Sequence, residues 1–254
     1  MNSIIYGPVP SWRLGSSLGI DLVSTKEKTC SFDCIYCQLG KTIHPLAERR
    51  QFVTTAQLAE ELEAVKNIVA DYVTFSGIAE PTLASNLGEA INIAKSILPL
   101  PVAVLTNSSL MPREDVCHDL AQADVVIAKV DAPNERIFRQ INNPVADYSF
   151  DQILRSIERF RKGFKGKLAL QMMFMAINKD YARQMADIAR QLSPDEVQLN
   201  TPLRPCPIKP LTSDEMSTID KEFAGLKALN VYQASKPEVV PLNLQETLRR
   251  RPKL

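Results

Sequence analysis

Residues 17–37 read SLGIDLVSTKEKTCSFDCIYC, an apolar run of strand length followed by a short polar stretch and three cysteines within eight positions. The run Ser17–Val23 has the near-continuous apolar character of a strand covered on both faces. Five further runs share it: Tyr72–Gly77, Val102–Asn107, Val125–Asp131, Lys167–Met175 and Glu196–Pro202. Helical patterns lie between them. Thr54 with Gln57 reads as a capping box opening a helix over Thr55–Val69, Ser149 with Gln152 opens one through Arg161, and Thr212 with Glu215 opens one through Leu229. Pro112 suits the first turn of a helix reaching about Ala121, and Asp180–Leu192 is a further helix. Strand–helix alternation predicts a parallel sheet with right-handed crossovers. Six units fall short of a closed eightfold barrel, so the expected α/β fold is a partial (β/α)6 barrel with parallel strands.

The chain of 254 residues is 45% hydrophobic, with 30 basic and 29 acidic residues. That balance carries no overall electrostatic footprint for nucleic acid. No run approaches the ~20 apolar residues of a membrane span, and the N-terminus lacks the basic-then-apolar order of a signal peptide. The expectation is a cytoplasmic protein without membrane contact. It divides into one domain, residues 1–235, with residues 1–16 as lead-in and residues 236–254 as a C-terminal tail. Within that tail Arg249, Arg250, Arg251 and Lys253 form a basic run, read as a solvated face or an RNA contact.

In sheets of this kind chemistry gathers at the carboxyl ends of the strands. The cysteine array, Cys30, Cys34 and Cys37 in C-x3-C-x2-C spacing, follows the first strand. Clustered cysteines in such a compartment point to metal or redox chemistry. Three thiolates can hold three irons of a [4Fe–4S] cubane and leave the fourth iron open to another ligand. A structural zinc site wants a fourth ligand nearby, and His44 stands seven residues beyond Cys37. Structural zinc and three unrelated core cysteines are the competing accounts.

The second strand ends Ser76-Gly77-Ile78-Ala79-Glu80-Pro81-Thr82. A backbone edge that Gly77 leaves open, with the Glu80 carboxylate beside it, is what an ammonium group needs for recognition; a plain strand-to-helix turn is the alternative. The third strand ends Thr106-Asn107-Ser108-Ser109, where Asn107 is either a cofactor contact or a polar cap. The fourth ends Lys129-Val130-Asp131, where Asp131 faces ribose hydroxyls or substrate, or else Lys129 simply forms a salt bridge. Gln171 lies on the fifth strand. Arg204, after the sixth, suits a carboxylate or phosphate. The Met172, Met173 and Met175 group reads as core, Cys117 as a small buried residue, and Cys206 as a thiol near the rim.

The array C-x3-C-x-(aromatic)-C after the first barrel strand resembles the signature of the radical S-adenosylmethionine (SAM) superfamily. The resemblance implies that the methionine amine and carboxylate of SAM chelate the open iron, and that an electron from the cluster breaks the S–C5′ bond to give a 5′-deoxyadenosyl radical. It places Tyr36 beside the adenine and likens Ser76–Thr82 to the family's Gly-Gly-Glu segment, with Ala79 where glycine is usual. Tyr6–Ser11, Leu14-Gly15 and Leu18–Asp21 resemble a small branch related to the tRNA wyosine-base synthases, with Trp12 standing where an arginine is expected. Those synthases look to need a second cluster on N-terminal cysteines, and residues 1–29 contain none. The expectation is therefore one cluster, SAM as cofactor, a reductant such as flavodoxin or ferredoxin, and a substrate that is a small molecule or a tRNA. A tRNA-base-modifying radical enzyme and a non-catalytic iron–sulfur carrier or scaffold are the other readings.

Overall fold

The computed structural model describes residues 3–145 and 147–252. In chain order the strands are β1 (Ile5–Ser11), β2 (Gly15–Ile20), β3 (Thr29–Cys30), β4 (His44–Pro45), β5 (Tyr72–Phe75), β6 (Val102–Thr106), β7 (Val125–Lys129), β8 (Lys167–Met173), β9 (Glu196–Asn200) and β10 (Ala228–Asn230). The helices are α1 (Thr55–Ala64), α2 (Leu87–Ile97), α3 (Glu114–Leu120), α4 (Glu135–Asn142), α5 (Phe150–Gly163), α6 (Ala182–Leu192), α7 (Ser213–Glu222) and α8 (Leu244–Arg250). Eight strands form one sheet in the order β1-β2-β5-β6-β7-β8-β9-β10. It is parallel from β2 to β10, and only β1 runs antiparallel to its neighbour. The result is a curled half-barrel whose helices cover the outer face, and the six expected parallel strands form its body.

Both edges depart from the sequence reading. The lead-in contains β1, which carries Pro8 and Pro10 and has an irregular register between Tyr6 and Val9. Proline cannot donate to a ladder, so such a strand belongs on an edge, and its broken pattern hides it. At the other edge, the helix expected to run to Leu229 stops at Glu222. Gly225 follows at φ +85°, a left-handed conformation that ends helices cheaply. The next residues, Ala228–Asn230, pair in parallel with Val197–Leu199.

Capping explains several boundaries. Both halves of the capping box are made at Ser149/Gln152 and at Thr212/Glu215. At Thr54 only one half forms, because the Gln57 side chain donates instead to Glu61, at 3.1 Å. α1 ends at Ala64 rather than Val69, and Val69 is 89% exposed, so the extra turn had no apolar face to bury. Pro112 lies just outside α3, whose cap is Arg113. α2 and α4 were not expected. α4 is opened by Asn134, which accepts from Ile137 N at 3.1 Å, and buries Ile137, Phe138 and Ile141. Met172, Met173 and Met175 are buried in the core, as read. No described helix is long and apolar enough to cross a membrane.

The C-terminal stretch is not a solvated tail. Asn243 caps α8, which packs on β1 and carries Arg250 into the protein interior. The Arg250 side chain is 0% exposed; its Nε donates to Asp21 at 2.8 Å and one Nη to Glu246 at 2.5 Å. Another Nη donates to Ser3 O at 2.8 Å. Arg249 donates to Thr25 O at 2.8 Å, while Lys253 lies outside the described residues. A charge run read as a solvated face thus contains a buried ion pair that joins the last helix to the end of β2. Breaking such a pair leaves a buried carboxylate short of its cation, at a cost of roughly 3–5 kcal/mol. Arg250→Met should lower the unfolding free energy in urea by about that amount. A loss below about 0.5 kcal/mol, ordinary for a surface change, would show that α8 is not anchored.

Candidate functional site

A cavity of about 360 Å³ opens at the carboxyl ends of the strands, and Cys30, Cys34 and Cys37 line it together with Ser76, Gly77 and Glu80. Inside the half-barrel Leu14, Ala103, Ile127 and Ala169 pack in a small apolar layer, which Leu14 extends to the cavity wall. Above that layer the inward-pointing residues turn polar: Ser17, Thr74, Lys129 and Gln171 line the cavity.

The cysteine loop is held rigidly. Phe32 is buried edge-on to Phe138 of α4, with ring centres 5.4 Å apart. The last carbonyls of α4 have no intrahelical partners, and they accept from the loop: Asp33 N donates to Asn142 O and Ile35 N to Ile141 O, both at 3.0 Å. Asp33 in turn accepts from Thr42 N at 2.6 Å, and Lys28 donates to Gly40 O at 2.8 Å. Two side-chain amides approach the sulfurs, Asn107 Nδ2 at 3.6 Å from Cys30 Sγ and Asn142 Nδ2 at 3.4 Å from Cys34 Sγ. Burial pushes the Cys30 thiol up to about 12, with the Glu80 charge adding to it, and burial raises Cys34 against the pull of Lys129. Thiolates here need a cation beside them. Among the described residues no three His, Cys, Asp or Glu side chains converge as for a single metal ion. His44 sits on the surface against Glu27, at 3.1 Å, and does not line the cavity.

Glu80 is buried, not the surface residue of a plain turn. Oε1 accepts from Thr82 N (3.2 Å), Thr82 Oγ1 (2.7 Å) and Thr106 Oγ1 (2.7 Å), while Oε2 accepts from Asn107 N at 2.7 Å. Each carboxylate oxygen has about two acceptor positions, so Oε2, with its single donor, keeps one free. Burial raises the carboxyl's pKa while these bonds oppose the rise. Asn107 ties the two halves of the site together. Its backbone meets Glu80, its amide donates to Ser31 Oγ at 2.9 Å and approaches Cys30, and its Oδ1 accepts from Ser109 N at 2.9 Å. Ser76 Oγ lies 2.8 Å from Tyr6 Oη and accepts from Arg251 Nη2 at 2.8 Å. Gly77 has a reason inside the protein: a Cβ there would stand 2.2 Å from Asp21 Cγ.

Of the expected cofactor contacts, Asp131 is placed differently. Asp131 is 2% exposed and does not line the cavity. Its carboxylate is taken up by the Tyr36 hydroxyl, by Asn142 Nδ2 at 3.0 Å and by Met173 N at 3.0 Å, with Lys129 Nζ at 3.6 Å. Lys129 thus forms the salt bridge with Asp131 and also lines the cavity. Tyr36 lines the cavity, but its hydroxyl is held by this network, where Lys129 donates to it at 2.5 Å. Cys206 donates to Ile208 O at 3.3 Å and lies off the cavity wall, while Cys117 donates to Met111 O at 3.2 Å on α3. Arg204 lines the cavity as expected. Sequence reasoning missed Asn142, Arg13 and Arg251. Asn142 sits at the end of an unexpected helix, and the two arginines are brought in by chain ends read as peripheral.

The family model described as Radical SAM superfamily matches residues 28–189. A UPF0026 protein of Methanocaldococcus jannaschii is 38% identical over 229 residues, covering 87% of this chain and 70% of the relative. A UPF0026 protein of Synechocystis is 38% identical over 206 residues, covering 81% of this chain and 77% of the relative. Among solved structures, a radical SAM methyltransferase from Sphaerobacter thermophilus superposes with a TM-score of 0.63 at 14% identity, covering 85% of this chain and 66% of that one. Streptococcus suis SuiB bound to S-adenosylmethionine gives 0.62 at 14% identity over 80% of this chain; the chain spans about half (48%) of the SuiB length. These likenesses establish the fold. The expected kinship to wyosine-base synthases is not confirmed by these relatives.

The geometry around Gly77 yields a test of whether that glycine serves the protein or a ligand. Overpacking costs roughly 1–3 kcal/mol, and Gly77→Ala should lose that much in urea unfolding because its methyl displaces Asp21. In an Asp21→Gly background the same change should cost less than half as much. Equal penalties in both backgrounds would show that Asp21 is not what requires the glycine.

Proposed function

The chain belongs to the radical SAM superfamily, and on that premise we propose that it is an enzyme holding one [4Fe–4S] cluster on Cys30, Cys34 and Cys37 and cleaving SAM reductively at the Ser76–Glu80 edge. The observation that carries this reading is the convergence of the three thiols and that edge on one cavity, linked through Asn107. The donor set fits the cluster: three thiols on one cavity, of which Cys30 and Cys34 are disfavoured by burial as free thiolates, a rigid loop, and amide donors at two sulfurs of the kind that tune a cluster. When bound, the cluster supplies one electron to SAM and so yields a 5′-deoxyadenosyl radical; a reductant such as flavodoxin or ferredoxin replaces it.

The chain's own residues bind and orient. The free acceptor position on Glu80 Oε2 and the backbone at Ser76–Gly77 receive the methionine ammonium. The remaining acceptors are saturated, so the carboxylate cannot swing away to meet the ligand. The ring of Tyr36, fixed by Asp131 and Lys129, offers a wall for the adenine. Asp131 acts behind that wall rather than on the ribose. Cys117 and Cys206 stand away from the cavity and from each other's elements, which supports a single cluster and argues against the wyosine chemistry. A simple electron carrier has no use for a cavity of this kind beside its cluster.

Anaerobic reconstitution should load about four irons per chain, the content of one cubane. The triple Cys→Ala variant of Cys30, Cys34 and Cys37 should fold and load none. With a chemical reductant the loaded protein should form 5′-deoxyadenosine from SAM. Tightly held zinc with no iron, or full iron loading that survives the triple substitution, would overturn the assignment.

A further inference from the structure

The mouth of the cavity carries a charge that the described residues do not balance. Arg13 comes from the turn between β1 and β2, Arg204 from the segment after β9, and Arg251 from the end of α8, and all three line the cavity. Glu80 is the one carboxylate among the described lining residues, and its partners are Thr82, Thr106 and Asn107. Arg251 donates to Ser76 Oγ at 2.8 Å and to Arg250 O at 3.0 Å, neither of them an anion. Arg13 lies over the Trp12 ring, 5.2 Å from its centre, and its Nε and Nη1 are buried with no hydrogen-bond partner among the described residues. Burial and the neighbouring guanidiniums push Arg13 down to about 9 and Arg204 to about 10.

Among the described residues, three guanidiniums from distant parts of the chain meet at one cavity with no anion between them, and Arg13, whose Nε and Nη1 are buried without partners, costs the ligand-free protein stability. That arrangement is intelligible when a ligand supplies the counter-charge, as in other sites where function is kept at a cost to the fold. The ligand must offer several oxygens around one centre and more than a single charge. A guanidinium fork matches a carboxylate or a phosphate, but SAM has a single carboxylate, and the proposed function directs it to the cluster's open iron. An RNA backbone brings one charge per phosphate. A terminal phosphate brings close to two charges and three oxygens.

We infer that Arg13, Arg204 and Arg251 form the anion anchor of the substrate, and that the substrate is a small molecule carrying a terminal phosphate. The inference rests on the reading of this cavity as the SAM site, since it places the substrate's anion beside the cofactor. Trp12 holds the Arg13 guanidinium at the mouth by stacking, and α8 delivers Arg251 through the Arg250–Asp21 pair.

The test titrates glycerol phosphate and inorganic phosphate calorimetrically into wild type and Arg13→Gln, each reconstituted and SAM-saturated, and also cluster-free. Wild type should bind both phosphates saturably, and Arg13→Gln should bind them about tenfold more weakly or worse. SAM affinity should stay within about twofold in Arg13→Gln, because the proposed function directs SAM's carboxylate to the cluster's open iron and not to Arg13. In the ligand-free state Arg13→Gln should melt at the same temperature as wild type or higher, because it removes an unpaired buried charge, and phosphate should raise the wild-type melting temperature alone. Four results overturn the inference: phosphate binding indifferent to Arg13→Gln, SAM affinity falling in step with it, a lowered ligand-free melting temperature, or an end-blocked RNA oligonucleotide that outcompetes glycerol phosphate. Arg13-dependent phosphate binding in protein that cannot assemble a cluster would uphold the anchor and remove the SAM reading. SAM binding without phosphate binding would do the reverse.

Discussion

A carboxylate taken out of water has to be surrounded by donors, and three such carboxylates at the carboxyl ends of strands organise this protein. Asp21 after β2 receives Arg250 at 2.8 Å and the backbone of Ser24 at 3.0 Å. Glu80 after β5 receives four donors from its own turn and from the end of β6. Asp131 after β7 receives Tyr36, Asn142 and Met173. They tie the end of β2 to α8, the end of β5 to that of β6, and the end of β7 to the cysteine loop, α4 and β8. The open end of a half-barrel has no neighbouring strand to stiffen it, and these charges supply the missing order. Burial makes their satisfaction compulsory.

Much of this was legible in the sequence because the apolar pattern is strong where strands are covered on both faces. The six parallel strands and the two complete capping boxes are local signals, and Cys30, Cys34 and Cys37 carry their spacing openly. What failed to show was tertiary. β1 is broken by two prolines, so it looks like loop until a neighbour is known. α8 was hidden because Arg249–Arg251 has the composition of a solvated face, and only its partner Asp21, 229 positions away from Arg250, gives it a reason to be buried. Asp131 looked like a rim residue since it closes an apolar run, yet it turns under the rim to hold Tyr36. Gly77 looked like an opening for a ligand; Asp21 takes the space of its missing Cβ, while Gly77 still lines the cavity. In each case the residue type was right for the strand end, and the partner came from elsewhere in the chain.

The two chain termini share one task. β1 and its turn bring Trp12 and Arg13 to the mouth, and α8 brings Arg251 there after fastening itself with Arg250. Residues that seemed peripheral thus line the same cavity as the cysteines. The division of labour follows the charges: the cysteine loop is held by amides and backbone, three guanidiniums line the same cavity, and Glu80 is its one carboxylate among the described lining residues, with its acceptors nearly exhausted. An arrangement so biased has its order set for ligands that bring negative charge.

The central claim is that three thiolates hold the cluster and SAM takes the remaining iron. Mössbauer spectroscopy of the iron-57 reconstituted protein, recorded with and without SAM, tests it directly. The account predicts one site of four distinguishable from the other three, with that site alone shifting when SAM is added. Four irons unmoved by SAM, or a spectrum without a cubane, would contradict it.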